Sequence, residues 1–390
     1  MIGAATETRA SHNRWLLVET FNGDGRQPSV IAKGRTAIWM VPLSTVMSKS
    51  RYADEVRVLV LRAAREGVPL QVASGDGQRK LAASPLSPAD GRVHGVYAWI
   101  GGQAEHPPVR ATAAGAWCLN LASGRLLASG ELCQLYGIKP DDLARPRLEA
   151  EAFERLLPSA DEGRALGVLV RGRPGDEYQG TWTLRRGDGQ LRQVTISCRT
   201  VTRPRPGGRA DVVVRGITHD TGQSGTAPAP GRLMLDRQVL IAEQRPGTHR
   251  VIVHPRNLRP LRWIDPPPAD LACTARGPHE PGIHPGDLPA ARRMAEEVTV
   301  GGRAEETLRL RDNAGGWTRV GVTASQVLLD PGTSAALVTL SLARQAPGTG
   351  SAGSASSAAG FRADGRGHAH SPTSDAWARR NSSTSGSARE

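Results

Sequence analysis

The chain of 390 residues is 38% hydrophobic and 22% charged, with 45 glycines and 28 prolines; at roughly 100–200 residues per domain this allows two to four small cores joined by many turns. No apolar run approaches the roughly 20 residues of a membrane helix, the first residues lack the basic start and apolar core of a secretory leader, and four cysteines are too few for a disulfide scaffold, so a cytoplasmic setting with no membrane partner is expected. The formal charge of +13 is arginine apart from Lys33, Lys49, Lys80 and Lys139, and the arginines are scattered without a basic run, so the charge reads as compositional and nucleic acid is not the favoured partner.

The first segment, 12–102, reads as mixed α/β. Trp15 to Phe21 is rich in strand formers and stops at the turn signal Asn22-Gly23-Asp24-Gly25. Val30 to Lys33 and Ile38 to Val41 are short apolar runs suited to strands. Tyr52 to Glu66 places Val56, Leu59, Val60, Ala63 and Ala64 at helical spacing, and Gly67 and Pro69 predict its end. Val93 to Ile100 reads as a buried final strand.

The second segment, 110–220, opens with a hairpin, Trp117 to Leu121 and Leu126 to Ala128 about a Ser123-Gly124 turn. Short helices are predicted at Glu131–Tyr136, Phe153–Leu157 and Asp161–Arg171, with Asp161 as the N-cap of the last. Tyr178–Arg185 and Leu191–Val201 flank Gly187-Asp188-Gly189, a strong hairpin signal, and Asp211–Ile217 gives a third strand. The stretch 221–231 has the composition of a linker.

The third segment, 232–345, repeats this ending. Adding 126 to a residue number takes Asp161 to Asp287, Leu184 to Leu310, Gly189 to Gly315, Val194 to Val320 and Val212 to Val338, an ungapped match of over 50 residues that includes the hairpin turn. A one-residue slip would reverse every strand face, so two copies of one helix-plus-three-strand unit are expected. The helical half of the second copy is punctuated by Pro260, Pro266, Pro267, Pro268, Pro278, Pro281 and Pro285. That predicts a sheet poorly covered at Leu308, Leu310, Val320 and Val322, and a homodimer built on this segment to cover them. From 346 to 390 the chain carries 27 Ser, Gly or Ala and no Leu, Ile, Val or Met, which predicts a disordered tail.

Phe153 to Asp161, Tyr178 to Gly189 and the closing Gly216-Ile217-Thr218-His219-Asp220 resemble a PAS domain, and His284-Pro285-Gly286-Asp287 resembles that family's histidine–proline–aspartate turn. The first segment resembles a GAF domain in strand order and general pattern. The resemblance implies an α+β, multi-domain chain: antiparallel five-stranded sheets with short helices on one face, preceded by a GAF-like α/β domain. It also implies a ligand space between sheet and helices, an open sheet face for association, and a homodimer or a PAS-containing signalling partner.

Trp117, Cys118, Cys133, Tyr136, Tyr178, Trp182 and Cys198 lie on elements expected to face such a pocket, although each is also an ordinary core residue type. Glu131 to Leu135 lacks the pattern of a flavin photosensor, and Asp161–Arg171 has no axial histidine for haem, so the cofactor stays unknown. Cys273, His279, Glu280 and His284 have ligand chemistry but sit in a Pro- and Gly-rich loop, and His368 and His370 lie in the tail; no metal is assigned. His219-Asp220 has no nucleophile beside it, and phosphate-loop, zinc-protease and hydrolase motifs are missing from the folded part, so no enzyme is expected. The expected function is a sensory or regulatory protein that binds a small molecule or partner, with output on another protein. A ligand-free dimerisation scaffold and a nucleic-acid-associated regulator are the alternatives.

Overall fold

A computed structural model describes residues 15–22, 27–86, 90–110, 112–139, 147–205, 208, 210–223, 245–273 and 282–342. The expected tail, most of the 221–231 linker, and His279, Glu280, His368 and His370 lie outside the described residues.

Three antiparallel sheets follow one another along the chain. The first contains β1 (Leu16–Glu19), β2 (Ser29–Lys33), β3 (Thr36–Pro42), β4 (Leu70–Ala73), β5 (Arg79–Pro85) and β6 (Gly95–Gly102), in the order β3-β2-β1-β6-β5-β4. Between β3 and β4 run α1 (Leu43–Val46) and α2 (Ala53–Glu66). Helix α2 forms where the apolar spacing predicts it: Val56, Leu59, Val60 and Ala63 are buried against the sheet. Gly67, at φ 69°, ends it and donates its N–H to the Ala63 carbonyl at 2.9 Å.

The second sheet contains β7 (Ala114–Asn120), β8 (Arg125–Ala128), β9 (Arg147–Leu148), β10 (Glu177–Arg185), β11 (Leu191–Pro204) and β12 (Ala210–Gln223), in the order β10-β11-β12-β7-β8-β9. Helices α3 (Gly130–Leu135), α4 (Glu149–Glu154) and α5 (Glu162–Arg171) cover one face. Helix α4 begins four residues before the expected Phe153 start, and no Asp161 side chain caps α5. The third sheet is five-stranded: β13 (Thr248–Val253), β14 (Pro260–Trp263), β15 (Arg303–Arg311), β16 (Trp317–Asp330) and β17 (Thr333–Ser341), ordered β14-β13-β17-β16-β15, with α6 (Leu288–Thr299) between β14 and β15. With β3 and β9 set aside, all three sheets share one order, 2-1-5-4-3 in each sheet's own strand count, with the helices inserted between strands 2 and 3.

The internal repeat is visible in the pairing. Leu184 faces Arg192 and Leu310 faces Thr318; Glu177 faces Arg199 and Arg303 faces Ser325, each offset by 126. The offset ends at the next turn. Cys198 pairs with Gly216, whereas Ala324 pairs with Val338, so Val338 matches Gly216 and not Val212. The shorter β16–β17 connection and a bulge near Leu328 absorb the four residues of difference.

These sheets stack. The first packs on the second through Trp15, Leu17, Phe21, Tyr97 and Trp99 against Ala114 and Ile217. Buried ion pairs tie this contact: Arg199 with Glu19 at 3.3 Å, and Arg215 with Asp90 at 3.1 Å, Asp90 also meeting His94 at 2.8 Å. Behind the second sheet, α4 and α5 pack on the third, whose Ile252, Leu261 and Ala335 share a buried cluster with Leu156, Leu166 and Leu169. Approach is close enough that a side chain at Gly163 would strike the Leu329 carbonyl. On its far face α6 covers Leu308, Val320 and Val322 through Ala291, Met294 and Val298, with Leu310 partly buried against them.

Two expectations are therefore corrected. The third segment keeps a covering helix, because its prolines fall before α6 and Pro289 occupies the first turn, where no backbone N–H is needed. The outer sheet faces expected to stay open for a partner are filled by neighbouring sheets and helices of the same chain.

Candidate functional site

Between the second sheet and α3–α5 lies an apolar cavity of about 100 Å³. Trp117, Cys133, Tyr136, Tyr178, Trp182 and Cys198 all line it. The period of two along β10 puts Tyr178, Trp182 and Leu184 on the helix-facing side, all fully buried. Trp182 donates its indole N–H to the Tyr178 hydroxyl at 2.9 Å and stands edge-on to Phe153 with ring centres 6.0 Å apart. Burial pushes the Tyr136 hydroxyl and the Cys198 thiol up to about 12, and raises Cys133 and Tyr178 as well, so these four side chains are neutral at physiological pH.

Cys118 is the exception. It neighbours Trp117 on β7 and so faces the other side of the sheet, among Val201 and Val213. There burial, then the Asp90 carboxylate, holds its thiol up at about 12. His219 and Asp220 separate in the same way. His219 points at the first sheet and meets Thr112 Oγ1 at 2.8 Å, and burial lowers it to about 4; Asp220 accepts from Arg192 Nε at 3.0 Å. His284 accepts the Gly286 N–H at 3.1 Å and stacks edge-on to Trp317, while its Asp287 is held low by a two-pronged Arg309 contact at 2.6 and 3.0 Å.

The sequence reading missed Glu149, which sits at the start of α4 on the wall of this cavity. Its carboxylate is 2% exposed, lies 3.4 Å from Arg259 and has no hydrogen-bond partner among the described residues. Burial dominates over the arginine and raises it to about 7. Glu149 also borders a second cavity, of about 630 Å³, between the third sheet and α6.

Residues 14–109 match the family model described as Rv3651-like, N-terminal, and residues 233–348 match that described as Rv3651-like, C-terminal domain. The chain carries the Rv3651-like pair of end domains. These Rv3651-like regions enclose the first and third sheets and bracket the second sheet, which holds the 100 Å³ cavity. A crystal structure of an uncharacterized protein from Mycobacterium tuberculosis is similar over 85% of this chain and 97% of its own, at 27% identity and a TM-score of 0.72. A sensory box histidine kinase/response regulator from Burkholderia thailandensis aligns over 33% of this chain and 86% of its own, at 19% identity and a TM-score of 0.21. An RNA-binding light-oxygen-voltage receptor aligns over 59% of this chain and 95% of its own, at 11% identity and a TM-score of 0.23. No curated protein matches.

Proposed function

We propose that this chain is a cytoplasmic, non-enzymatic sensory or regulatory protein that binds a small apolar molecule under PAS-like helices and delivers its output through another protein, a PAS-containing partner being one such. The observation that carries this reading is the apolar cavity of the second sheet, lined by Trp117, Phe153 and Trp182 and by Cys133, Tyr136, Tyr178 and Cys198, which burial keeps neutral. A cavity bounded by a sheet and short helices is a common small-molecule site. The shared 2-1-5-4-3 order supports a PAS-like reading of the second and third sheets and a GAF-like reading of the first. Four free cysteines support a reducing compartment, and thiols held high are poor nucleophiles, which supports a binding rather than a catalytic role.

At about 100 Å³ the cavity is well below the roughly 300–1,000 Å³ of drug-sized sites, so the ligand is small, and flavin or haem does not fit. That small volume also favours the second reading, a ligand-free scaffold. Native mass spectrometry of the full chain separates them. The sensory reading expects a retained small-molecule mass that disappears in Ala165→Leu, which fills the cavity from α5. A bare chain that gains no bound mass when incubated with small apolar compounds supports the scaffold.

A further inference from the structure

The cavity of the third sheet differs in kind from the one just described. Its volume of about 630 Å³ falls in the range of drug-sized ligand sites. Its body is apolar, walled by Trp263, Met294, Leu308, Val322 and Val338. Arg292 of α6 and Arg311 of β15 line it as well, and further polar groups gather where the β13–β14 turn meets β8, β9 and the start of α4. Arg125, Arg147, Arg256 and Arg259 border that part, with Glu149 the acid beside them among the described residues. On α4 the next acid, Glu151, lines the other cavity.

Several buried polar atoms here lack hydrogen-bond partners among the described residues. They are Nε and Nη1 of Arg259, Nε1 of Trp263 and both oxygens of Glu149. Glu149 and Trp263 are more than nine-tenths buried. Such atoms are costly to leave unpaired. Leu258, beside them in the turn, holds a left-handed φ of 59°, a conformation that persists where surroundings impose it and that clusters at ligand sites.

We infer that this cavity binds an amphiphilic monocarboxylate, with its apolar body under α6 and its carboxylate between Arg259 and Glu149. The unpartnered Arg259 N–H groups need an acceptor, and a carboxylate offers only acceptors. The unpartnered N–H groups of the Arg259 guanidinium favour an anion over a neutral head. Glu149 tolerates the second carboxylate by holding a proton, which it donates to the ligand, as two close carboxyl groups share one proton rather than both ionising. Its lean toward the neutral form in the free protein agrees with that role. Arg125 of β8, Arg147 of β9, and Arg256 and Arg259 of the β13–β14 turn line the cavity with it. Because the head site is built from two sheets' elements, the ligand bridges the second and third domains. Its apolar body, under α6, is distinct from the cavity under "Proposed function", although Arg147 and Glu149 border both.

Titration calorimetry of the full chain with decanoate and with decan-1-ol, in buffers of differing ionisation enthalpy, tests this. Decanoate should bind at least tenfold more tightly than decan-1-ol, with uptake of a proton at pH 8. Arg259→Met should weaken decanoate tenfold or more and leave decan-1-ol unchanged. Glu149→Gln should keep decanoate binding, because its amide also donates, and abolish the proton uptake. Ala291→Phe should remove both ligands, while Ala165→Leu, in the other cavity, should change neither. The inference is overturned if decanoate does not bind, if decan-1-ol binds equally well, or if Arg259→Met leaves the preference intact. If Ala291→Phe does not fold, the head-group preference and the Arg259→Met and Glu149→Gln chains still decide. Failure here together with a mass retained in the smaller cavity would leave the sensory reading standing.

Discussion

Glu149→Gln probes the most unusual electrostatic feature of the chain. Glu149 goes from an ordinary carboxyl near 4.5 in the unfolded chain to about 7 when folded, chiefly through burial. Between those values the folded protein holds a proton that the unfolded chain has lost. Folding stability from this group therefore falls as pH rises from 4.5 through 7. Each unit is worth about 1.4 kcal/mol, so between pH 5 and pH 8 the wild-type chain should lose about 2–3 kcal/mol relative to Glu149→Gln. Arg259 stays charged in both proteins over that range, so the cost of leaving it beside a glutamine is constant and cancels from the pH trend. Urea unfolding of both chains at four or five pH values gives the difference directly. A stability gap between the two chains that does not move with pH, or that moves in favour of the wild type as pH rises, refutes the reasoning. It would mean that Arg259 and water hold the carboxylate ionised at its ordinary value.

Other consequences are simpler. Trp182→Ala removes a fully buried indole and leaves the Tyr178 hydroxyl without its partner, and should cost about 3–5 kcal/mol by denaturant midpoint; an unchanged midpoint would place Trp182 outside the core. Gly115→Ala drives a methyl group into the Leu132 backbone and should lower stability by about 1–3 kcal/mol, read as a lower melting temperature. Asp90→Ala strands Arg215 in the contact between the first two sheets and should cost about 3–5 kcal/mol at neutral pH. Burial raises Asp90, but His94 and Arg215 outweigh it and hold it low, so its stabilisation is full above about pH 4 and is lost as pH falls toward the folded value; the penalty of Asp90→Ala should shrink in acid.

Much of the fold was legible because periodicity and turns coincide. The Gly187-Asp188-Gly189 and Asp312–Gly315 turns pin two hairpins in one register, and the alternation on β10 places Trp182 inward without further information. Cys118 was legible too. Adjacent strand residues point to opposite faces, so Trp117 and Cys118 could not both reach one pocket. Strands β4 and β5, four and seven residues long, carry no long apolar run and were not read as strands. Glu149 was not legible. An acid at a helix start ordinarily serves the helix N-terminus in water, and the contact with Arg259 of the β13–β14 turn, about a hundred residues away, appears only in the fold. Cover for the third sheet was hidden likewise, since α5 of the second domain supplies half of it.

That cover decides how the chain should associate. The homodimer expected from the third segment rested on an exposed sheet face, and both faces are filled, by α6 on one side and by α4 and α5 on the other. Its β15 edge is partly taken as well: Arg311 N donates to the Gly282 carbonyl and His284 N to the Arg309 carbonyl, each at 2.9 Å. What remains is a half-length edge carrying Glu305 and Glu306, and edge charges oppose strand pairing. Removing the third domain has the reverse effect. A chain ending at Gln223 would bare the apolar side of α4 and α5, and would free Glu162 from Arg262 and the Phe153 and Leu156 carbonyls from the same arginine. Sedimentation at tens of micromolar should therefore show the full chain as a monomer and the shortened chain as associated. A full chain that dimerises while the shortened one stays monomeric would show that the third domain presents an interface that neither its faces nor its edges account for.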